Sequence, residues 1–476
     1  MPPGVREELE VFIEMLKPDD LLNKARAVIL NQVVGGWDLA DGEDDDGDAV
    51  SAWRKADEMA QSVGRSLVKD SDVRAKFLPE LLAVSHSNRA YECGLGLSEG
   101  DGDSWVMWGE LVAAYKGIED SVPNPAVLSG FISGVARFDR GEAGRILYAA
   151  VNDPDIMPLI PYLEARLGVD EVVISRLRRA INFGVDVWSF RYIANGSVSD
   201  SPSGPLAELL LDIAGMSGGV DVALDVLHMH FYSKRKAGED VSGGLISVGR
   251  ILLSRSGYGS DGRFCDFGAE LLIDLCLEGG EGRIAAGIVC QRIRSLIDSY
   301  AVNSRDLVHT LTALFRVQPF IALDAFLLPD DSSDEGCLLS DELGVFAPCG
   351  GLDAVTLLQW ANSDADSRYS ILSSYLTMFD KNGDEDTGVS PIFMAVMEQS
   401  PDKKLFLGDF WDRIHPRSWS GTLLGDVLLR RKQHLLKLLE HSDENVREWL
   451  IENIPVLDRW VADERERFKE IEESFE

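Results

Sequence analysis

No lysine follows a glycine anywhere in these 476 residues. A P-loop of the form GxxxxGK[ST] is therefore absent, and Walker-type nucleotide hydrolysis cannot reside in this chain. Positive charge is scarce as well. Lys and Arg total 46 against 80 Asp and Glu, a formal net charge of -34. Non-specific nucleic-acid binding draws its affinity from cations that neutralise phosphates, so no direct nucleic-acid partner is expected. An anionic membrane surface is disfavoured on the same ground. The imbalance favours solubility and a partner with basic patches. No stretch of about 18 apolar residues occurs, so no membrane span is expected. The opening MPPGVREELEVF lacks a basic segment followed by an apolar run, and does not read as a signal peptide. Six cysteines (Cys93, Cys265, Cys276, Cys290, Cys337, Cys349) are scattered without a CxxC pair, which suits free thiols in a cytoplasm.

What the chain has is helix. Hydrophobic residues make up 45% and recur at helical spacing in short leucine-rich segments split by Gly, Pro, Asn and Asp. The pattern predicts helices at Val5–Leu16 and Leu21–Val34, the second capped by Asp19 or Asp20, then at Ala49–Val68 and Val73–Val84. The acidic stretch Asp41–Asp48 reads as a solvated loop. From Asn124 the units become more regular. Val127, Phe131, Ile132 and Val135 share one helix face. Val173, Ile174, Leu177 and Ile181 do the same, with Arg176, Arg178 and Arg179 outside that stripe or at its border. Lys234–Gly244 and Pro329–Gly336 read as polar loops, the second a hinge or subdomain boundary. No sustained strand alternation appears. The expected fold is all-α, an α-solenoid of HEAT-like helix pairs, each unit burying surface against its neighbours. Its expected divisions are 1–120, an N-terminal helical module with an acidic loop; 121–330, a repeat array; and 331–476, a second array with a polar cap.

Catalytic and metal signatures fail on inspection. Gly257, Gly259 and Gly262 spell GxGxxG, but Ile251-Leu252-Leu253 before them reads as a helix end, whereas a dinucleotide loop follows a strand. Asp380, Asn382, Asp384 and Asp386 alternate in DKNGDED. An EF-hand needs Gly at position 6 and Glu at position 12, where this segment has Glu385 and Pro391, so a polar turn is the reading. His228 and His230 lie about 200° apart on a helix and do not share a metal. His434 and His441 could share a face, but no HExxH occurs. Gly130–Gly134 reads GFISG, not the GxSxG of a nucleophile elbow. No catalytic residue, metal or cofactor is assigned. The candidate partner-binding residues are Arg176, Arg178, Arg179, Trp411 and Trp419. Arginine clusters can grip acidic groups, and tryptophan is common at binding hot spots. Further basic spots lie at Lys234-Arg235-Lys236 and Arg430-Arg431-Lys432.

The C-terminal segment HLLKLLEHSDENVREWLIENIPVL reads as helix, turn, helix. Ser442 or Asp443 can cap the second helix. Pro455 is expected to kink or split it. The segment resembles the HEAT-repeat pattern, in which an Asp in the turn precedes a Val-Arg pair; Asp443, Val446 and Arg447 occupy those places. The phrases VLSGFISGVARFD, RILYAAVNDPDIMPLIPYLEARLG, ISRLRRAINFG, YIANG and LAELLLDIAGMSGGVDVALDVLHMHF, with the closing segment, resemble the helical C-terminal region of large bacterial STAND-type NTPases of antiphage defence. That resemblance implies a repeat array that senses a phage protein and controls an effector or NTPase, attached in cis or acting in trans. It also implies either a fragment holding the sensor array or a separate protein of similar build. The expected function is non-enzymatic protein recognition. The alternatives are a general scaffold of a bacterial complex, or an enzyme with a dispersed metal-dependent hydrolase site.

Overall fold

Aspartates begin many of these helices. Asp20, Asp70, Asp103, Asp139, Asp170, Asp353 and Asp402 each sit one residue before a helix and accept a hydrogen bond from a first-turn backbone N–H. A carboxylate there satisfies an otherwise unpaired donor and meets the positive end of the helix dipole. Part of the acidic excess is thus structural. The computed structural model describes residues 20–30, 49–84, 89–100, 102–119, 122–194, 198–259, 265–329, 352–382, 385–411, 414–415 and 423–475. The expected helix Val5–Leu16, the acidic stretch Asp41–Asp48, Gly262, nearly all of Pro329–Gly336, and Trp419 lie outside them.

The chain divides into two compact units, Met1–Val248 and Gly249–Glu476. In the first, α1 (Leu21–Ala25) leads into a π-helical turn, Arg26–Leu30, and is followed by α2 (Ala49–Lys69), α3 (Ser71–Ala83), α4 (Ala90–Ser98), α5 (Ser104–Lys116), α6 (Ala126–Phe138), α7 (Arg140–Ala150), α8 (Ile160–Glu164) and α9 (Glu171–Phe183). A 3₁₀ segment, Val187–Ala194, then precedes α10 (Ser203–Gly215) and α11 (Gly219–Ala237). α12 (Gly243–Arg255) contains the division point. One layer of the first unit packs in chain order: α2 on α4, α4 on α6, α6 on α8, α8 on the 3₁₀ segment, and that segment on α11.

The α2–α4–α6 contact is made at backbone distance. A Cβ added at Gly96 would lie 2.0 Å from the carbonyl oxygen of Gln61, and one at Gly130 would lie 1.9 Å from that of Tyr91. Only glycine admits such an approach. GFISG, no esterase elbow, is a helix-packing surface.

The second unit continues with α13 (Asp266–Leu277), α14 (Gly279–Asp298), α15 (Val308–Val317), α16 (Pro319–Leu327), α17 (Ala354–Ala361) and α18 (Ala365–Tyr375). After them come strands β1 (Phe379–Asn382) and β2 (Glu385–Val389), then α19 (Pro391–Gln399), α20 (Lys403–Phe410), α21 (Leu424–Leu436) and α22 (Glu444–Phe475). Alternate helices pack together: α13 on α15, α14 on α16, α17 on α19, α18 on α20, and α20 on α22. Polar side chains tie these steps. Asp266 caps α15 by accepting from the backbone N–H groups of His309 and Thr310, at 2.8 and 2.9 Å. Arg294 donates to the carbonyls of Ala325 and Leu328 at the end of α16.

Among the described residues the architecture is all-α apart from the antiparallel β1–β2 hairpin, where the sequence reading placed only a polar turn. Asn382 pairs with Glu385, which leaves the two-residue sequence Gly383-Asp384 between the strands as the local hairpin signal. The strands flanking it are short and polar, so no alternation announces them. The hairpin is held from outside: Arg431 of α21 pairs with Asp386 and lies 5.0 Å over the ring of Phe379. Two further details depart from expectation. Lys234, Arg235 and Lys236 are not a loop but the last turn of α11, where cations meet the negative end of the dipole before Gly238 turns the chain with φ of 72°. Pro455 does not split α22, which runs unbroken through it.

Candidate functional site

The 3₁₀ segment VWSFRYIA buries Val187, Phe190, Ile193 and Ala194. At about three residues per turn Val187, Phe190 and Ile193 form the inner row, and Trp188 is left half-buried with Arg191 and Tyr192 exposed. α11 buries Val222, Ala223, Val226, Leu227, His230 and Phe231, and carries Asp225, His228 and Met229 half-buried along the edge of that stripe. The two elements pack together. Between them lies a cleft of about 410 Å³ lined by Trp188, Arg191, Tyr192, Ala194, Asp225, His228 and Met229. Its start is shaped by Gly218, whose φ of 72° turns the chain into α11 beneath the Trp188 ring.

The cleft is polarised. Arg191 Nε lies 2.6 Å from Asp225 Oδ2. Burial pushes the Asp225 carboxyl above the usual aspartate value, against the pull of Arg191 and with a further push from Asp221. Burial lowers the His228 imidazole below the usual histidine value, favouring its neutral form. His230, next but one, is buried and has Nδ1 2.7 Å from the Val198 carbonyl oxygen.

The cleft belongs to a longer row on the same layer. Tyr192 meets Tyr162, just after the start of α8, edge to face at 4.8 Å. Arg166 stacks 4.7 Å over the ring of Tyr91 on α4. Beside it, Glu92 has a buried Oε2 with no hydrogen-bond partner, and burial raises its carboxyl. Burial raises Asp57 of α2 as well. Arg89, almost wholly buried, lies 6.0 Å over the Trp53 ring. Aromatic faces, cations and carboxylates thus alternate from α2 to α11. The exposed members of the row, Trp53, Arg166, Arg191 and Tyr192, present rings and charges to solvent, while Arg89 is buried.

The residues singled out by sequence lie elsewhere. Arg176 turns inward, contrary to the expected border position, because Glu164, with no exposed surface, pairs with its guanidinium. Arg178 pairs with Glu208 and Asp212. Arg179 donates to Asn152 at 2.8 Å and lies 6.0 Å over Tyr148. Trp411 packs against Trp449 and Trp460, with ring centroids at 5.6 and 5.0 Å. Asp443 accepts from the Asn445 N–H, Val446 is fully buried, and Arg447 donates to the carbonyls of His441 and Ser442. These three stitch the last turn to α22.

Trp188, Tyr192 and Asp225 went unnoticed in the sequence. The signal for the two rings is the aromatic-dense run Trp188, Phe190, Tyr192, whose spacing of two matches neither an α-helix face nor a long strand; Asp225 carries no such signal. Among the described residues no cluster of His, Cys, Asp and Glu could hold a metal ion, and no helix is long and apolar enough to cross a membrane. Burial pushes the Cys93 and Cys276 thiols up to about 12, which removes them as nucleophiles at neutral pH. No protein-family model matches the chain, and no curated protein matches it.

Proposed function

We propose that this chain is an α-solenoid of HEAT-like helix pairs that recognises a protein partner and does no chemistry of its own. The observation that carries the reading is the Trp188–Tyr192–Asp225 cleft within the aromatic and charged row of the first unit. The solenoid draws support from packing between elements near in the chain: α2 on α4, α4 on α6 and α6 on α8 in the first unit, and α13 on α15, α17 on α19 and α18 on α20 in the second. Recognition draws support from the cleft itself, a recess of about 410 Å³ held between two packed elements, since a site already in place binds without ordering much of itself.

The resemblance to the repeat region of STAND-type defence NTPases adds that the partner is a phage protein, and that an effector or NTPase acts with this chain in cis or in trans. The test is retention by the tagged chain from infected and uninfected bacterial lysates, read by mass spectrometry, for the wild type and a Trp188→Ala/Tyr192→Ala variant. The reading expects a phage protein enriched after infection and lost from the variant. The same host proteins from both lysates would favour the general scaffold instead. Retention that ignores the variant would remove the cleft as anchor.

A further inference from the structure

The cleft carries its own indication of what enters it. Two aromatic rings, Trp188 and Tyr192, line it beside the carboxylate of Asp225. We infer that the cleft takes a basic side chain of the partner, arginine or lysine, with its charge on Asp225 and its stem along the rings. The inference rests on reading the cleft as a protein-recognition site. Aromatic faces attract cations through the ring quadrupole, more strongly where water is excluded. Arg191 and Asp221 act on Asp225, and the His228 imidazole, whose burial favours its neutral form, lines the same cleft. The chain around the cleft carries a net charge of -34, which favours a basic partner over an acidic one.

Arg191 is half exposed. Its guanidinium reaches water on one side, so an incoming guanidinium can take its place on the less exposed Asp225. In the free protein Arg191 stands where the partner's cation would sit. An acidic side chain would meet the Asp225 charge instead. A purely apolar one would bury the ion pair without replacing the water it loses.

The experiment sorts a displayed library of random linear peptides on the full chain, then measures the enriched peptides on variants. Enriched peptides should share an Arg or Lys at one fixed position. Asp225→Asn should weaken them at least about tenfold, while Asp212→Asn, whose carboxylate serves Arg178 elsewhere, should leave them unchanged. Arg191→Ala should bind them as well or more tightly, since the internal rival is gone. Peptides without a fixed basic residue, or binding indifferent to Asp225→Asn, would overturn the assigned occupant and leave protein recognition standing. No enrichment over the Trp188→Ala/Tyr192→Ala variant would overturn the recognition reading itself, and this inference with it.

Discussion

Arg176 and Glu164 show how a charge can look superficial in sequence and be internal in the fold. The guanidinium lies between core positions of α9 because a fully buried carboxylate from another short helix awaits it. Removing one partner of a buried pair strands the other charge. Arg176→Ala should therefore cost about 3–5 kcal/mol in urea unfolding, whereas an Arg176→Met/Glu164→Gln pair should cost far less. His230 gives a pH dependence of definite sign. Burial holds its imidazole below the usual histidine value in the folded chain, while the unfolded chain titrates near about 6.5. The neutral form therefore contributes stability above the unfolded value, and that stability is lost as pH falls through the folded one. His230→Asn keeps a donor for the Val198 carbonyl and cannot titrate. Its unfolding midpoint should fall less than that of the wild type between neutral and mildly acidic pH; an unchanged slope would place the titration elsewhere. The helical stripe of α9 was legible in sequence. The inward turn of Arg176 was not, because it depends on a partner 12 residues away that periodicity does not reveal.

Close packing of α2, α4 and α6 sets the cost of single methyl groups. Gly130→Ala and Gly96→Ala drive a Cβ into a backbone carbonyl on a neighbouring helix and should destabilise by about 1–3 kcal/mol or more. Gly144→Ala, mid-helix in α7 with nothing near the added carbon, should stabilise by up to about 1 kcal/mol. Thermal melts of the three variants separate steric contact from helix propensity. The apolar face Val127, Phe131, Ile132 and Val135 could be read from spacing, and all four are buried. The role of Gly130 could not, since it lies in the distance to another helix. The β1–β2 hairpin was missed for a related reason. Its strands are four and five residues long, and its stability comes from Arg431, 45 residues beyond Asp386.

Packing between elements near in sequence has a consequence for the molecule as a whole. If each step buries surface only against its neighbours, a local defect stays local. Gly130→Ala should speed amide hydrogen exchange in α2, α4 and α6 and leave α20 and α22 unchanged; a uniform increase would indicate one cooperative core. The acidic surface should show in kinetics as well. Association with a basic partner should slow as salt rises, with dissociation much less affected. The all-α class and the limits of the helices Ala49–Lys69 and Ser71–Ala83, to within two residues, were legible in the sequence, because period and caps are local signals. The cleft was not, because Trp188 and Asp225 are 37 positions apart and meet only when the 3₁₀ segment packs on α11. The most direct measurement is hydrogen exchange of the chain with and without the protein it retains. Protection concentrated in Val187–Ala194 and α11, and absent from the Trp188→Ala/Tyr192→Ala variant, is the expected result. Protection that spares those segments would contradict recognition through this cleft.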